Sequence, residues 1–151
     1  MSKVLYVCSR KPFTGSKIEA KVQRICEDLN AGNLESKPSI LYHEKNIVYG
    51  ISNPTSTIRT KGLNVLLGKI FGEETKWFDL LAESPDGNFV ILRSNDNNVE
   101  LVTDYLGTRS IWYYFDEEIF IGSTSQKAII QYLESFEFQD RIIPWMLSTA
   151  L

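Results

Sequence analysis

The sequence predicts an α+β domain, with antiparallel sheets layered against helices. Three observations carry that expectation. The chain opens on a short run that is apolar on both faces, "KVLYVC". Two amphipathic stretches with helix-start signals lie far apart in the chain, and the β-prone runs between them come at hairpin spacing. At 151 residues the chain fits one domain, 1–151, able to bury roughly two thirds of its unfolded surface. Hydrophobic residues at 43% and charged residues at 23% are ordinary globular values.

In the opening run Val4, Tyr6 and Cys8 point one way and Leu5 and Val7 the other, which suits a strand covered on both sides. "SKIEAKVQRICEDLNAG" reads as a helix. Ser16 and Glu19 have the spacing of a capping box, Ile18, Val22, Ile25 and Leu29 form the apolar stripe with Cys26 on it, and Asn30 to Gly32 supply the stop. "SILYHEKNIVYGIS" reads as a hairpin with a polar, solvated turn around His43 to Asn46.

"NPTSTIRTKG" reads as an irregular connection and "LNVLLGKIFG" as a strand, with Gly68 marking a bulge or a close backbone approach. "TKWFDLLAESPDG" predicts a short helix ending in a turn at Pro85-Asp86-Gly87. Next come "NFVILR", "VELVTD", "SIWYYF" and "EIFIGST", joined by short polar breaks that predict an antiparallel meander. Ser125 opens a last helix with Ala128, Ile129, Tyr132 and Leu133 on one face. Sheets that need covering on both faces predict two sheets between two helical layers.

Several function classes are disfavoured. A formal net charge of −3 gives no clustered positive surface for nucleic acid. Cys8, Cys26 and the single His43 lack the spacing of a zinc set, so both thiols read as buried apolar groups. No secretory leader precedes Lys3 and no apolar run approaches the roughly 20 residues of a membrane span, which predicts a soluble, cytoplasmic protein.

The stretch from Asp86 to Ile130 carries a resemblance. Asp86-Gly87-Asn88-Phe89 is similar to a D-G-x-F-A strand. The run from Thr103 through Gly107 and Arg109 to Tyr113 is similar to R-D-x-x-G-x-R-P-L-Y-Y. Phe120 to Ile129 is similar to F-A-S-E-x-K-A-L. In that order these motifs resemble the glutaminase half of the asparagine synthetases, a branch of the class II glutamine amidotransferases. "LLGKIFG" sits where that family has N-G-E-I-Y-N. The resemblance implies the N-terminal-nucleophile (Ntn) hydrolase fold, a four-layer sandwich of two antiparallel sheets between helices. It makes the Asp104–Arg109 turn, permitted by Gly107, and the aromatic run Trp112 to Phe115 into scaffold that fills the sandwich, or into a face turned toward a synthetase domain.

Active members of the family expose an N-terminal cysteine whose α-amino group serves as its base. This chain has Ser2 at that place, then Lys3 where the family has glycine. Leu67 replaces an asparagine whose side chain helps hold the oxyanion, and Lys69 replaces a glutamate that grips the substrate's amino group. The arginine that binds the substrate carboxylate has no counterpart, which leaves Gly68 and Asp86 as the remnant of a glutamine pocket.

The expectation is a noncatalytic glutaminase-like domain, with Ser2 a vestigial or alternative nucleophile, that scaffolds, dimerises or presents substrate. An active serine amidase using Ser2 and a free-standing binding module are the alternatives. No S-G-G-x-D-S or Walker A string is present. ATP and magnesium are therefore implied only for a C-terminal synthetase domain of a longer ATP-dependent amidoligase, with no cofactor or metal in this chain. The apolar "IPWMLSTAL" suggests an end continued by further chain, with Trp145, Met146 and Leu147 at an interface.

Overall fold

The computed structural model describes residues 2–30, 37–72, 76–95 and 98–135. The stretch holding Trp145, Met146 and Leu147 lies outside them. Among the described residues the order is β1 (Lys3–Ser9), α1 (Lys17–Asp28), β2 (Ile40–Glu44), β3 (Ile47–Ser52), β4 (Ile58–Lys61), β5 (Asn64–Ile70), β6 (Gly87–Ser94), β7 (Val99–Thr103), β8 (Trp112–Phe115), β9 (Ile119–Ser123) and α2 (Gln126–Leu133). The strands form two antiparallel sheets, β2-β3-β1-β9-β8 and β4-β5-β6-β7. The α+β class and the two antiparallel sheets are as the sequence predicts. No helix of the described residues is long and apolar enough to cross a membrane.

The alternation read from "KVLYVC" sets the layers. Leu5 and Val7 face the helices, joining Val22, Ile25, Ile121 and Ala128 in one core. Val4 and Tyr6 face the second sheet, where they meet Tyr49, Ile51, Val65, Leu67 and Leu92. Helix α1 comes down closely on the first sheet. A Cβ on Gly50 would strike Cys26 Sγ and lie 2.7 Å from Val22 Cγ1, so only glycine lets this helix seat there. Cys26 is buried in the core, and burial, with a smaller contribution from the Glu27 charge, raises its thiol to about 12.

Both helices lie on the same side of the first sheet, sharing its core. Among the described residues the outer face of the second sheet is covered not by a helical layer but by the segment from Lys76 to Ala82. Trp77 there packs on Leu66, Phe89 and Ile91. The helix expected in this stretch is a run of turns, and the reason is visible. A helix would pass the Leu81 N–H to the Trp77 carbonyl. Here the Leu81 N–H is donated to Glu100 Oε2 at 3.1 Å, and the Trp77 carbonyl accepts from Arg93 Nη1 at 3.3 Å.

Arg93, 1% exposed, also donates to Glu100 at 2.6 and 3.1 Å and to the Ala82 carbonyl at 2.9 Å. One buried guanidinium thus ties β6, β7 and the covering segment together.

Other expectations are corrected by tertiary contacts. The meander is two hairpins in different sheets, β6–β7 in one and β8–β9 in the other. The chain crosses between them over Asp104 to Ile111, where Asp104 forces the bend. Its carboxylate accepts from Thr108 Oγ1 at 2.8 Å, from the Thr108 N–H at 3.2 Å and from the Phe89 N–H at 3.3 Å, while its carbonyl takes the Gly107 N–H at 2.9 Å. Gly107 has φ +59°, as this turn requires.

Residues 58–61 of the expected irregular connection form β4, paired with β5. Ser16 sits in helical conformation and makes no side-chain cap, and Glu19, the other half of the expected capping box, turns instead to His43 Nδ1 at 2.8 Å. His43 is therefore a half-buried strand residue beside Phe13, not a solvated turn residue. The aromatic run does not fill the sandwich either. β8 is an edge strand, and Trp112, Tyr113 and Phe115 are exposed.

Replacing Arg93 strands a carboxylate and two carbonyls at once. Arg93→Met should lower unfolding free energy by about 3 kcal/mol, read from urea denaturation. The Arg93 guanidinium holds the Glu100 carboxyl below its ordinary 4.5, against the opposing effect of burial. A folded-state value below the unfolded one stabilises above the unfolded value and loses that contribution as pH falls through the folded value. Thermal stability should therefore drop as pH is lowered below 4.5, with a shallower drop in Glu100→Gln.

Candidate functional site

The N-terminal end of β1 lies at one end of the sandwich, and its backbone is fastened there by hydroxyls. Ser123 Oγ donates to the Val4 carbonyl at 2.6 Å, and Thr124 Oγ1 accepts the Val4 N–H at 2.9 Å. Lys3 reaches across to the Leu29 carbonyl at 3.2 Å, and Ser52 Oγ donates to Asn30 Oδ1 at 2.6 Å. Ser2 is thereby held at the strand end, 4% exposed.

From Ser2 a chain of hydroxyls leads to the second sheet. Ser2 Oγ lies 2.8 Å from Thr55 Oγ1, which lies 2.8 Å from Thr57 Oγ1. The Thr57 carbonyl accepts the Gly68 N–H at 2.8 Å. Ser2 and Gly68, some 66 positions apart in the chain, are thus brought into one corner by residues 55–57. The two threonines were missed from the sequence. The closely spaced hydroxyls of "TST" are their only signal.

Gly68 makes the close approach expected of it, with φ +130°. A Cβ there would run into the Asn88 carbonyl, 2.8 Å from Phe89 Cα and 2.9 Å from Arg109 Nε. Arg109 does not pair with Asp104 across the turn. Its Nε donates to Asn88 Oδ1 at 2.8 Å and to the Asn88 carbonyl at 3.3 Å, closing over the β5–β6 pairing beside Gly68.

The remaining predicted positions do not converge. Leu67, 5% exposed, is part of the core between the sheets, opposite Ile58 and Val90. Lys69 is exposed at the rim of β5. Asp86 stands apart, exposed in the turn before β6. Its carbonyl takes the Phe71 N–H at 2.7 Å, and it lines a cleft of about 720 Å³ with Phe71, Asp104, Tyr105 and Leu106. That cleft is a second surface, since neither Ser2 nor Gly68 lines it.

The chemistry open to this corner follows from its donors. The Ser2 hydroxyl contacts another hydroxyl, which is neither imidazole nor carboxylate, so that contact cannot draw its proton away. An anion formed by its attack on an amide would need aimed N–H donors. The Gly68 N–H is already given to Thr57, and Leu67 offers none. Among the described residues no group of three or more His, Cys, Asp or Glu is placed to hold a metal.

Gly68→Ala should cost about 1–3 kcal/mol from backbone conformation alone, plus the collision with β6. Gly107→Ala, with nothing within 4 Å of the added methyl, should cost less. Melting temperatures of the two variants check the order. Neither a protein-family model, nor a curated protein, nor a solved structure matches this chain.

Proposed function

We propose that the chain is a noncatalytic domain of the glutaminase type found in asparagine synthetases, folded as an Ntn-hydrolase sandwich. It works as scaffold and docking half for an ATP-dependent amide-forming domain of the same protein. One observation carries the loss of catalysis: at the corner holding Ser2, the Gly68 N–H is spent on Thr57 and the neighbouring Leu67 is buried in the core. Losing a single oxyanion donor raises a barrier by roughly 3 kcal/mol, and here neither position has one to give.

The docking role is supported by the turn between the sheets. Asp104 and its bonds hold the turn rigid, and at its tip Tyr105 and Leu106 are almost wholly exposed beside Phe71 and the 720 Å³ cleft. A held turn that presents two large apolar side chains has the anatomy of a contact surface. ATP and magnesium would act in the synthetase half, which supplies the adenylating chemistry. This chain would contribute position only.

Ammonia release from glutamine tests the reading. The unaltered protein and Ser2→Cys should both show none above background, because a better nucleophile does not restore the missing donors. Turnover by the unaltered protein that disappears in Ser2→Ala would instead establish Ser2 as the nucleophile of a serine amidase.

A further inference from the structure

Residues 76–82 lie on the outer face of the second sheet and belong to neither a helix nor a strand. One ring plugs the segment into the sheet. Trp77, 9% exposed, sits on Leu66, Phe89 and Ile91, and Phe78 meets it edge-on at 5.8 Å. Lys61 Nζ, from the exposed end of β4, lies over the Phe78 ring at 3.1 Å. Within the segment the Asp79 N–H reaches the Lys76 carbonyl at 3.0 Å and the Ala82 N–H reaches the Asp79 carbonyl at 3.3 Å. Those bonds close two turns, and neither touches the sheet.

The hydrogen bonds that do reach the sheet, among the described residues, all end on one ion pair. The Trp77 and Ala82 carbonyls accept from Arg93, and the Leu81 N–H is donated to Glu100. The two halves of that pair differ. The Arg93 side chain is 1% exposed, while that of Glu100 is 27% exposed, so water competes for the carboxylate. The segment is also strained where the carboxylate holds it. Leu81 has φ +61°, in the left-handed region that a leucine disfavours. Its side chain is almost wholly exposed, so the bond to Glu100, not packing, keeps the turn in place.

We propose that residues 76–82 form a lid that opens as one unit while the sandwich stays folded, with the Arg93–Glu100 pair as its latch. The inference stands apart from the Ser2 corner and from any docking role. An asymmetry of bonding carries it. Strands β5 and β6, beneath the lid, are paired with each other and with β4 and β7, and need nothing from the lid for their ladders. The lid depends on the ion pair for every hydrogen bond it makes to the sheet among the described residues.

When Glu100 lets go, Leu81 is freed directly. Arg93, which holds the carbonyls of Trp77 and Ala82, loses its counter-charge in the same event. No ladder bond has to break. Segments with few buried contacts and solvent-reachable bonds open at a lower free energy than the whole fold. Opening bares Leu66, Phe89 and Ile91. That apolar area gives the motion a signature, because sensitivity to urea scales with the surface exposed.

Residue-resolved hydrogen exchange at rising, sub-denaturing urea is the test. The amides of Asp79, Leu81 and Ala82 should share one opening equilibrium. Its dependence on urea should be greater than zero and smaller than that of the β5–β6 amides, which wait for the sandwich to unfold. Glu100→Gln keeps the shape and removes the charge. It should speed exchange at all three amides by roughly tenfold, with an unchanged circular dichroism spectrum as the check on folding. Rates that differ among the three and ignore urea overturn the proposal, since the segment would then fray piecemeal. A urea dependence equal to that of β5–β6 overturns it too, by making the segment part of the same cooperative unit. Unchanged exchange in Glu100→Gln would place the latch elsewhere and reject it. The urea dependence needs no substitution, so it decides the matter whatever the variant's folding.

Discussion

Everything in this molecule is positioned by β1, which is hydrogen-bonded along both edges and covered on both faces. Its pairing with β3 and β9 makes it the middle of the first sheet, and its alternation supplies one wall of the helix-side core and one of the inter-sheet core. Burying an apolar side chain of this size contributes roughly 1.5–3 kcal/mol, and Val4 to Val7 are each at most 1% exposed. Tyr6 adds the link between sheets. It stacks on Tyr49, which stacks on Tyr42, and its hydroxyl reaches the Leu63 carbonyl at 3.0 Å and Ser94 Oγ at 2.6 Å. Burial holds that phenol far above its ordinary value, so it remains a neutral, bonded hydroxyl.

The parts legible in the sequence are those set by periodicity. The opening run, the stripe from Ile18 to Leu29, the face of Ala128 and Tyr132, and the close approach at Gly68 all follow from spacing and side-chain shape. The structure places each accordingly. Of the candidate site, Ser2 was pointed to by the family resemblance alone, and the structure links it to Gly68 only through Thr55 and Thr57.

What escaped the sequence depends on partners distant in the chain. The stretch around Trp77 has helical spacing, but Arg93 and Glu100 take the carbonyl and the N–H that would have closed its turn. The hairpins of "NFVILR…VELVTD" and "SIWYYF…EIFIGST" were recognisable one by one. Nothing local says that Asp104 sends the chain to the other sheet between them. Thr55 and Thr57 gain importance only because Ser2 and Gly68 lie on either side of them, and the exposure of Trp112, Tyr113 and Phe115 follows from their strand falling last in its sheet.

The seat of α1 on Gly50 has a use as a reporter. Cys26 Sγ sits where a side chain at position 50 would otherwise be, and its thiol stays protonated well above neutral pH. A thiol reagent can reach it only when the helix lifts from the sheet. The other free cysteine, Cys8, is half-buried at the far end of β1 and gives a more accessible comparison on the same strand framework. The ratio of the two modification rates therefore measures how often the helical layer opens in the native protein, without any substitution being introduced.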